Sequence, residues 1–237
     1  MKPNRKMQGG QKAGTLVDVL VVVTVVIGAA AIILPMLARS NVRSSRIGCI
    51  TAVKMVAMGL RLFANDNDSR FPDASINIMA STNLWKLFQL AENDISSPRI
   101  LVCPEDKERT PASDFLTGSG SSSASFADPS KRNLALSYFY AASADEGSPS
   151  RILIGDRNLS RDPTRSDHNP GTNFLTGNQR LGSTTTGVKD LRWAAKIHDR
   201  SGNVAFMDGS AQQLTSGKLR DALEKTGDTN NLIWLPQ

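Results

Sequence analysis

The hydrophobic and polar positions divide the chain into an apolar N-terminal segment and a mixed remainder. Residues 19–38, VLVVVTVVIGAAAIILPMLA, are 20 in number and carry no charge. A helix of this length spans about 30 Å, which matches the hydrocarbon core of a bilayer. The segment is rich in Val and Ile, yet in lipid a single span satisfies its backbone only as a helix. The pattern therefore predicts a transmembrane helix, in which Gly28 and Pro35 are tolerated.

A second apolar pattern follows the span. Hydrophobic residues recur every three or four positions, which predicts an amphipathic helix continuous with the span, from about residue 15 to residue 64. Its expected buried stripe is Ile47, Ile50, Val53, Ala57, Leu60 and Phe63. The following domain is the natural partner of this stripe, and coiled-coil pairing is the alternative. Residues 65–72, NDNDSRFP, end the helix with turn-forming side chains. They lack the glycine and final glutamate of a calcium loop, so calcium is not expected there.

Short elements and long polar loops are predicted for residues 65–237. Residues 81–92 indicate a helix capped by Ser81 or Thr82, with Leu84, Leu87, Phe88 and Ala91 inward. Ser216–Lys225 indicates a terminal helix. Strands are expected at Arg99–Cys103, Leu134–Ala141, Arg151–Gly155, Leu191–Ile197, Asn203–Met207 and Ala211–Leu214. Loops are expected at Thr117–Ser130, Arg157–Asn173 and Thr176–Lys189. The whole predicts an α+β fold, with a long N-terminal helix packed on a small antiparallel sheet.

The positive net charge of the chain is concentrated around the apolar segment. The chain of 237 residues has a net charge of +6 and a pI near 9.5, values typical of nucleic-acid binders. Residues 1–64, however, hold nine of the 28 basic residues and one of the 22 acids, Asp18. The remaining residues carry 19 bases and 21 acids. The basic residues thus flank the apolar segment, where anionic lipids attract them, and no nucleic-acid partner is expected.

Few residues suggest site chemistry. Cys49 and Cys103 match no metal-binding spacing, and they form either one disulfide or two separate buried thiols. His198 and Asp208 could in principle bind a metal or act as acid and base. A turn aspartate and a histidine bonded across two strands is the favoured interpretation, because no second histidine or nucleophile motif lies near them. We expect no catalytic residue, no metal and no cofactor.

Three interpretations fit the apolar segment: a cleaved signal peptide, a plain membrane anchor and a pilin-type helix. A signal peptide fits poorly, because Ile32, Ile33 and Leu34 continue the apolar run past the small residues at 29–31. Residues 12–22, KAGTLVDVLVV, resemble the prepilin N-terminus, in which a basic leader precedes Phe-Thr-Leu-x-Glu and an aliphatic run. Here Gly14 replaces the usual Phe and Asp18 the usual Glu.

The resemblance implies processing and assembly. A prepilin peptidase would cut between Ala13 and Gly14 and methylate the new N-terminus, and Asp18 would then pair with the α-amino group of a neighbouring subunit. A second resemblance joins Cys49, the phrase ANDNDSRFP and the C-terminal spacing His198-x9-Asp208-Gly209 to a large bacterial family of prepilin-type proteins. Cys103-Pro104 is a weaker match. Asp208-Gly209 is also a hairpin turn signal on its own.

The resemblance thus implies a pilin-like protein that is not an enzyme. Its expected parts are a basic leader (1–13), a transmembrane helix (14–38), an amphipathic extension (39–64) and a globular domain (65–237). The expected function is a structural subunit of a pseudopilus or type IV-like pilus, in the inner membrane with a cytoplasmic N-terminus and a periplasmic or extracellular domain. Expected partners are other pilin-like subunits, the prepilin peptidase, the assembly platform and the bilayer. The alternative is a membrane-tethered periplasmic binding protein or enzyme that does not polymerise.

Overall fold

The computed structural model describes residues 16–75, 83–116, 123–142, 147–161, 175, 177–182 and 188–236, with only the backbone of residues 35–44, 74–75 and 178. It divides the chain into two compact units, residues 1–44 and 45–237. The unit boundary falls within the first helix, α1, which extends from Leu16 to Asp66. The four expected parts of the chain are a finer division than these two units.

The first unit contains the apolar half of α1. Leu16–Leu34 has a mean hydropathy of 2.9 and none of this stretch is buried. Thr24 donates its hydroxyl to the carbonyls of Leu20 and Val21 at 3.1 and 2.8 Å, so its polar group is satisfied within the helix. The stretch is long and apolar enough to cross a bilayer, a test that a signal sequence also passes. Ser45–Asp66 passes it as well, but 44% of that window is buried in the second unit.

The second unit is built on an antiparallel sheet of six strands. The strands are β1 (Tyr138–Ala141), β2 (Ile152–Asp156), β3 (Leu159–Ser160), β4 (Gly177–Arg180), β5 (Arg192–Trp193), β6 (Ser201–Phe206), β7 (Ala211–Thr215) and β8 (Leu232–Leu235). The six strands of the sheet lie in the order β4-β8-β1-β2-β6-β7, and β3 and β5 form a separate pair. The last strand of the chain therefore lies inside the sheet, between β4 and β1.

The central strands of the sheet, β1, β2 and β6, are buried on both faces. The residues of β6 alternate between the two sides, as strand geometry requires. Ala205 packs in a core with the buried face of α1, whereas Val204 and Phe206 pack in a second core with helix α3 (Ser216–Lys225). The α1 side also contains helix α2 (Leu84–Leu90) and short 3-10 turns. The described residues are thus mixed helix and antiparallel sheet, compatible with the predicted α+β class.

All three helices lie where the sequence predicts them. The buried face of α1 differs from the predicted stripe and includes Cys49, Val53, Val56, Ala57, Leu60 and Ala64. Ile47 was expected inside but is 59% exposed, and Ile50 and Phe63 are only partly buried. Helix α2 is shorter than expected, although the four inward residues are buried as predicted. Ser81 and Thr82 lie outside the described residues. Helix α3 has the predicted bounds, and Thr215 caps it by accepting a hydrogen bond from Lys218.

Several strand predictions need correction. Arg99–Cys103 is not a strand: Ser97 caps a 3-10 turn that Pro98 begins, and the turn ends at Leu101. In Leu134–Ala141 only the second half is a strand, and a 3-10 turn at Arg132–Ala135 precedes it. Leu191–Ile197 contains only the two residues of β5. Strands β3 and β4 lie in segments expected to be loops, Arg157–Asn173 and Thr176–Lys189, and β8 was not predicted at all.

Candidate functional site

A buried disulfide joins α1 to the segment that follows the 3-10 turn at Pro98–Leu101. Cys49 and Cys103 are bonded, with their Cα atoms 5.2 Å apart and a separation of 54 positions in sequence. Both cysteines are 0–1% exposed. Of the two states left open by the sequence, the structure has the bonded one. A crosslink across so long a loop stabilises the fold chiefly by restricting the unfolded chain.

His198 packs directly against this disulfide. Its Nε2 atom lies 3.3 Å from Cys103 Sγ and 3.2 Å from Asp156 Oδ2. Asn203 completes the group: its Nδ2 atom lies 3.0 Å from His198 Nε2 and donates to Asp156 Oδ2 at 2.9 Å. The backbone N–H of Asn203 donates to the same oxygen at 2.6 Å. The disulfide, His198, Asp156 and Asn203 therefore form one buried polar group, which we call the disulfide cluster.

The turn that carries His198 is unusual in its backbone. Ile197, Asp199 and Arg200 all have positive φ angles, of 81°, 44° and 63°. Such angles are uncommon for residues other than glycine and persist only where surrounding contacts hold them. Asn158 supplies those contacts, because its buried amide donates to the carbonyls of Lys196 and Ser201 at 3.2 and 3.0 Å. The position of His198 is thus held from outside its own segment.

Three consecutive polar residues at the end of β2 organise the region. Asp156 holds Asn203 on β6, Asn158 holds the His198 turn, and Arg157 holds the segment after Cys103. Arg157 donates to Asp106 from Nε and Nη2 at 2.6 and 2.8 Å and to Glu108 at 2.7 Å. Asp106 also accepts from Ser137 at 2.9 Å. The end of β2 therefore ties together the three segments that meet at the disulfide.

The charges of this network are matched. Burial lowers the pKa of Arg157, but hydrogen bonds to Asp106 and Glu108 and their negative charges outweigh it, so the pKa is raised. Hydrogen bonds from Lys196 and Arg157 lower the pKa of Glu108 below its ordinary value of 4.5. Both groups are therefore charged at neutral pH, and Asp106 is the buried counter-ion of Arg157.

The other end of the His-x9-Asp-Gly segment forms the predicted hairpin turn between β6 and β7. Asp208 accepts from the backbone N–H of Ser210 at 2.8 Å. Hydrogen bonds from Ser210 and the charge of Arg61 on α1 lower the pKa of Asp208. Gly209 has φ of 83°, and a Cβ there would lie 2.6 Å from Arg61 Nη1. The turn thus requires glycine and lies against α1.

Both ends of the segment consequently meet the same helix. His198 contacts Cys103, which is bonded to Cys49, and the Asp208-Gly209 turn contacts Arg61. Cys49 and Arg61 are 12 residues apart in sequence, a rise of roughly 18 Å along a helix. Strand β6 takes up six of the nine residues between His198 and Asp208 and extends roughly 20 Å. The length of β6 therefore matches the rise of α1 from Cys49 to Arg61, and the segment fastens α1 to the sheet at both ends of β6.

The sequence-predicted residues are only partly brought together. Ala13, Gly14 and His168 lie outside the described residues, and Asp18 lies in the first turn of α1. Cys49, Cys103 and His198 meet in the disulfide cluster, whereas Asp208 and Gly209 lie at the opposite end of β6. Asp156, Asn158 and Asn203 were not among the predicted site residues. The signal for the first two was the polar run Asp156-Arg157-Asn158, which begins at the last residue of a buried strand, whereas Asn203 lies within β6.

The side chains of the disulfide cluster are of the types that bind metal ions in proteins. One sulfur from each cysteine and a nitrogen of His198 all lie within 4.8 Å of one another. The cluster is buried, so a large substrate has no access to it.

The fold and the cluster together define a class: an α+β protein with an N-terminal apolar helix and a disulfide-bonded domain. No protein-family model, curated protein or solved structure matched the chain when it was compared with each of them.

Proposed function

We propose that this protein is a structural subunit of a pseudopilus or type IV-like pilus, related to type II secretion, that a prepilin peptidase processes between Ala13 and Gly14. The observation that carries the proposal is the exposed apolar surface of Leu16–Leu34 with a single carboxylate, Asp18, in its first turn. A helix that exposes this much apolar surface needs lipid or other helices around it. A pilin-type helix uses both in turn, first the bilayer and then the filament core.

The attachment of the domain to α1 supports a structural function. The disulfide and the two contacts of the His-x9-Asp-Gly segment hold the domain to residues 49–61 of α1. A subunit that is pulled from the membrane into a filament must keep its domain attached to its assembly helix, and this is what such fastening provides. We infer that the protein sits in the inner membrane before assembly, with its domain on the periplasmic side.

Asp18 gives the proposal its sharpest test. After cleavage, each subunit carries a charged α-amino group at Gly14, and a carboxylate on a neighbouring helix is its natural partner in an apolar bundle. A buried pair of this kind fixes the register of neighbouring helices more than it adds stability. Asp18→Asn should abolish assembly and leave membrane insertion unchanged, whereas Asp18→Glu, which restores the usual family residue, should retain assembly.

Assembly is measured by crosslinking in the native membrane. Val22→Cys places a thiol on the exposed surface of the apolar helix, one turn after Asp18. With Asp18 intact, a bifunctional thiol crosslinker should give crosslinked dimers, because each subunit then carries one free thiol; in the Asp18→Asn background it should give monomers, with the protein still in the membrane fraction. Dimers in both backgrounds would contradict the role of Asp18. Monomers in both would favour a tether that does not polymerise.

One observation favours that second candidate, a membrane-tethered binding protein. An open groove of about 510 Å³ lies beside β7 and α3. Its lining combines charges of both signs with apolar side chains, including Asp208, Lys218, Asp221, Lys225, Phe206 and Leu214. A tethered binding protein would require this groove and no subunit contacts, so the crosslinking experiment separates the two functions.

A further inference from the structure

The disulfide cluster contains more ligand atoms than a structural crosslink needs. Beside the two sulfurs it has an imidazole nitrogen and a carboxylate, and both of these side chains are 1% exposed.

His198 Nε2 is the atom on which these groups converge. It lies 3.0 Å from Asn203 Nδ2, 3.2 Å from Asp156 Oδ2 and 3.3 Å from Cys103 Sγ. A metal ion would take the lone pair of this nitrogen, and Asn203 Nδ2 would then donate to Asp156 Oδ2 alone, a bond that is already present at 2.9 Å. An imidazole nitrogen, a carboxylate oxygen and a sulfur are all zinc ligand types.

The distances also suit a metal site. Zinc binds sulfur at about 2.3 Å and nitrogen or oxygen at about 2.0–2.2 Å, so neighbouring ligands of a tetrahedral ion lie roughly 3.3–3.7 Å apart. His198 Nε2 lies 3.3 Å from Cys103 Sγ and 3.2 Å from Asp156 Oδ2. The Cys49 sulfur belongs to the same group of ligand atoms, but it is bonded to Cys103 here, so the two sulfurs would have to separate to roughly 3.7 Å in the dithiol form for both to bind zinc.

We propose that the dithiol form of this protein binds one zinc ion through Cys49, Cys103 and His198, with Asp156 as the fourth ligand. The newly synthesised chain contains thiols and needs no reductant to reach this form. Binding releases two thiol protons to solvent as the two thiolates coordinate zinc. Later loss of zinc and removal of two electrons by a disulfide oxidant, which is itself reduced to a dithiol, gives the disulfide seen here.

The two crosslinks would serve one mechanical purpose. Zinc and the disulfide each connect Cys49 on α1 to Cys103, so either one fastens the helix to the domain. Zinc would hold this connection in a reducing compartment, where disulfides do not persist. The disulfide would replace it in an oxidising one. The proposal does not depend on whether the protein polymerises.

Cobalt is the probe for the test, because a tetrahedral Co²⁺ site with thiolate ligands has strong visible and near-ultraviolet absorption. The full-length protein in detergent is reduced with a phosphine, freed of metal and titrated with Co²⁺. We expect one Co²⁺ per chain, a thiolate-to-cobalt charge-transfer band and displacement of the cobalt by Zn²⁺. The same protein with its disulfide intact should show no such band.

Matched variants identify the ligands. His198→Asn should weaken cobalt binding by at least about tenfold, the lower bound for losing even a residue that only orients a ligand. Asp156→Asn should weaken it similarly and shift the visible bands. His168→Asn removes the chain's other histidine and should leave cobalt binding unchanged.

Two results would overturn the proposal. One is a reduced protein that gives no thiolate band, even when it is refolded from denaturant in the presence of Co²⁺ or Zn²⁺. The other is a His198→Asn variant that binds cobalt as tightly as the parent. The refolding arm keeps the test valid if the reduced, metal-free chain is unfolded, because zinc would then restore the structure.

Discussion

At the scale of single residues, the region around the disulfide depends on side chains that make several contacts each. Arg157 is the clearest case, with its guanidinium buried and bonded to both Asp106 and Glu108. A buried ion pair adds little net stability by itself, but removal of one partner leaves an uncompensated charge.

Arg157→Ala should therefore be strongly destabilising. It leaves Asp106 buried without its cation, and we expect a loss of about 3–5 kcal/mol in the free energy of unfolding. Arg99→Ala removes an exposed arginine and should change stability by no more than about 0.5 kcal/mol. Denaturant unfolding in detergent, followed by tryptophan fluorescence, measures both. Equal effects of the two variants would show that the ion pair does not hold the Cys103 segment.

The role of a single residue could be predicted from the sequence where it depends only on its immediate neighbours in the chain. Asp208-Gly209 could be assigned to a hairpin because the turn chemistry is local. The contact of His198 with the disulfide could not be found, since it joins residues 95 positions apart. Asp156 and Asn203 face each other only because β2 and β6 are neighbours in the sheet.

At the scale of elements, the Asp208-Gly209 turn sets the pairing of β6 with β7 and its position against α1. We expect Gly209→Ala to cost about 1–2 kcal/mol, because a left-handed backbone strains any residue with a Cβ. Gly217→Ala is the matched control. Gly217 lies in α3 with open space around it, so alanine there should be neutral or stabilising by up to about 1 kcal/mol. Thermal unfolding of both variants checks the opposite signs, and a destabilised Gly217→Ala would contradict the argument.

Helices with a regular pattern of hydrophobic residues could be predicted from the sequence. Strands that depend on pairing with a neighbouring strand could not. The apolar run and the amphipathic stripe predicted α1, and α3 was predicted with its observed bounds, Ser216–Lys225. Strand β4 is polar and is a strand because it pairs with β8, so its own residues give little sign of it. Leu191–Ile197 looked like a strand, but the positive φ of Ile197 and the bond from Ala194 to Asn158 turn the chain away.

At the scale of the second unit, the sheet depends on the end of the chain. Strand β8 lies between β4 and β1, and Ile233, Trp234 and Leu235 are 1–3% exposed. Burial of each such side chain contributes about 1.5–3 kcal/mol, and their sum is comparable to the stability of a typical domain.

Deletion of residues 231–237 should therefore prevent the domain from folding. The truncated protein is expected to be cut rapidly by added protease, whereas deletion of Gln237 alone should leave protection unchanged. A truncated domain that resists protease like the full chain would mean that β1 and its neighbours form a stable sheet without β8.

The central place of β8 has a consequence for biosynthesis. Strand β1 is synthesised before β8, and 90 residues separate Ala141 from Leu232, so the sheet cannot close until this intervening stretch has been made. During that interval the edge of β1 that β8 later covers is open, and an open strand edge invites pairing between nascent copies. We therefore expect maturation of this protein to depend on a holding chaperone that keeps unfinished chains apart.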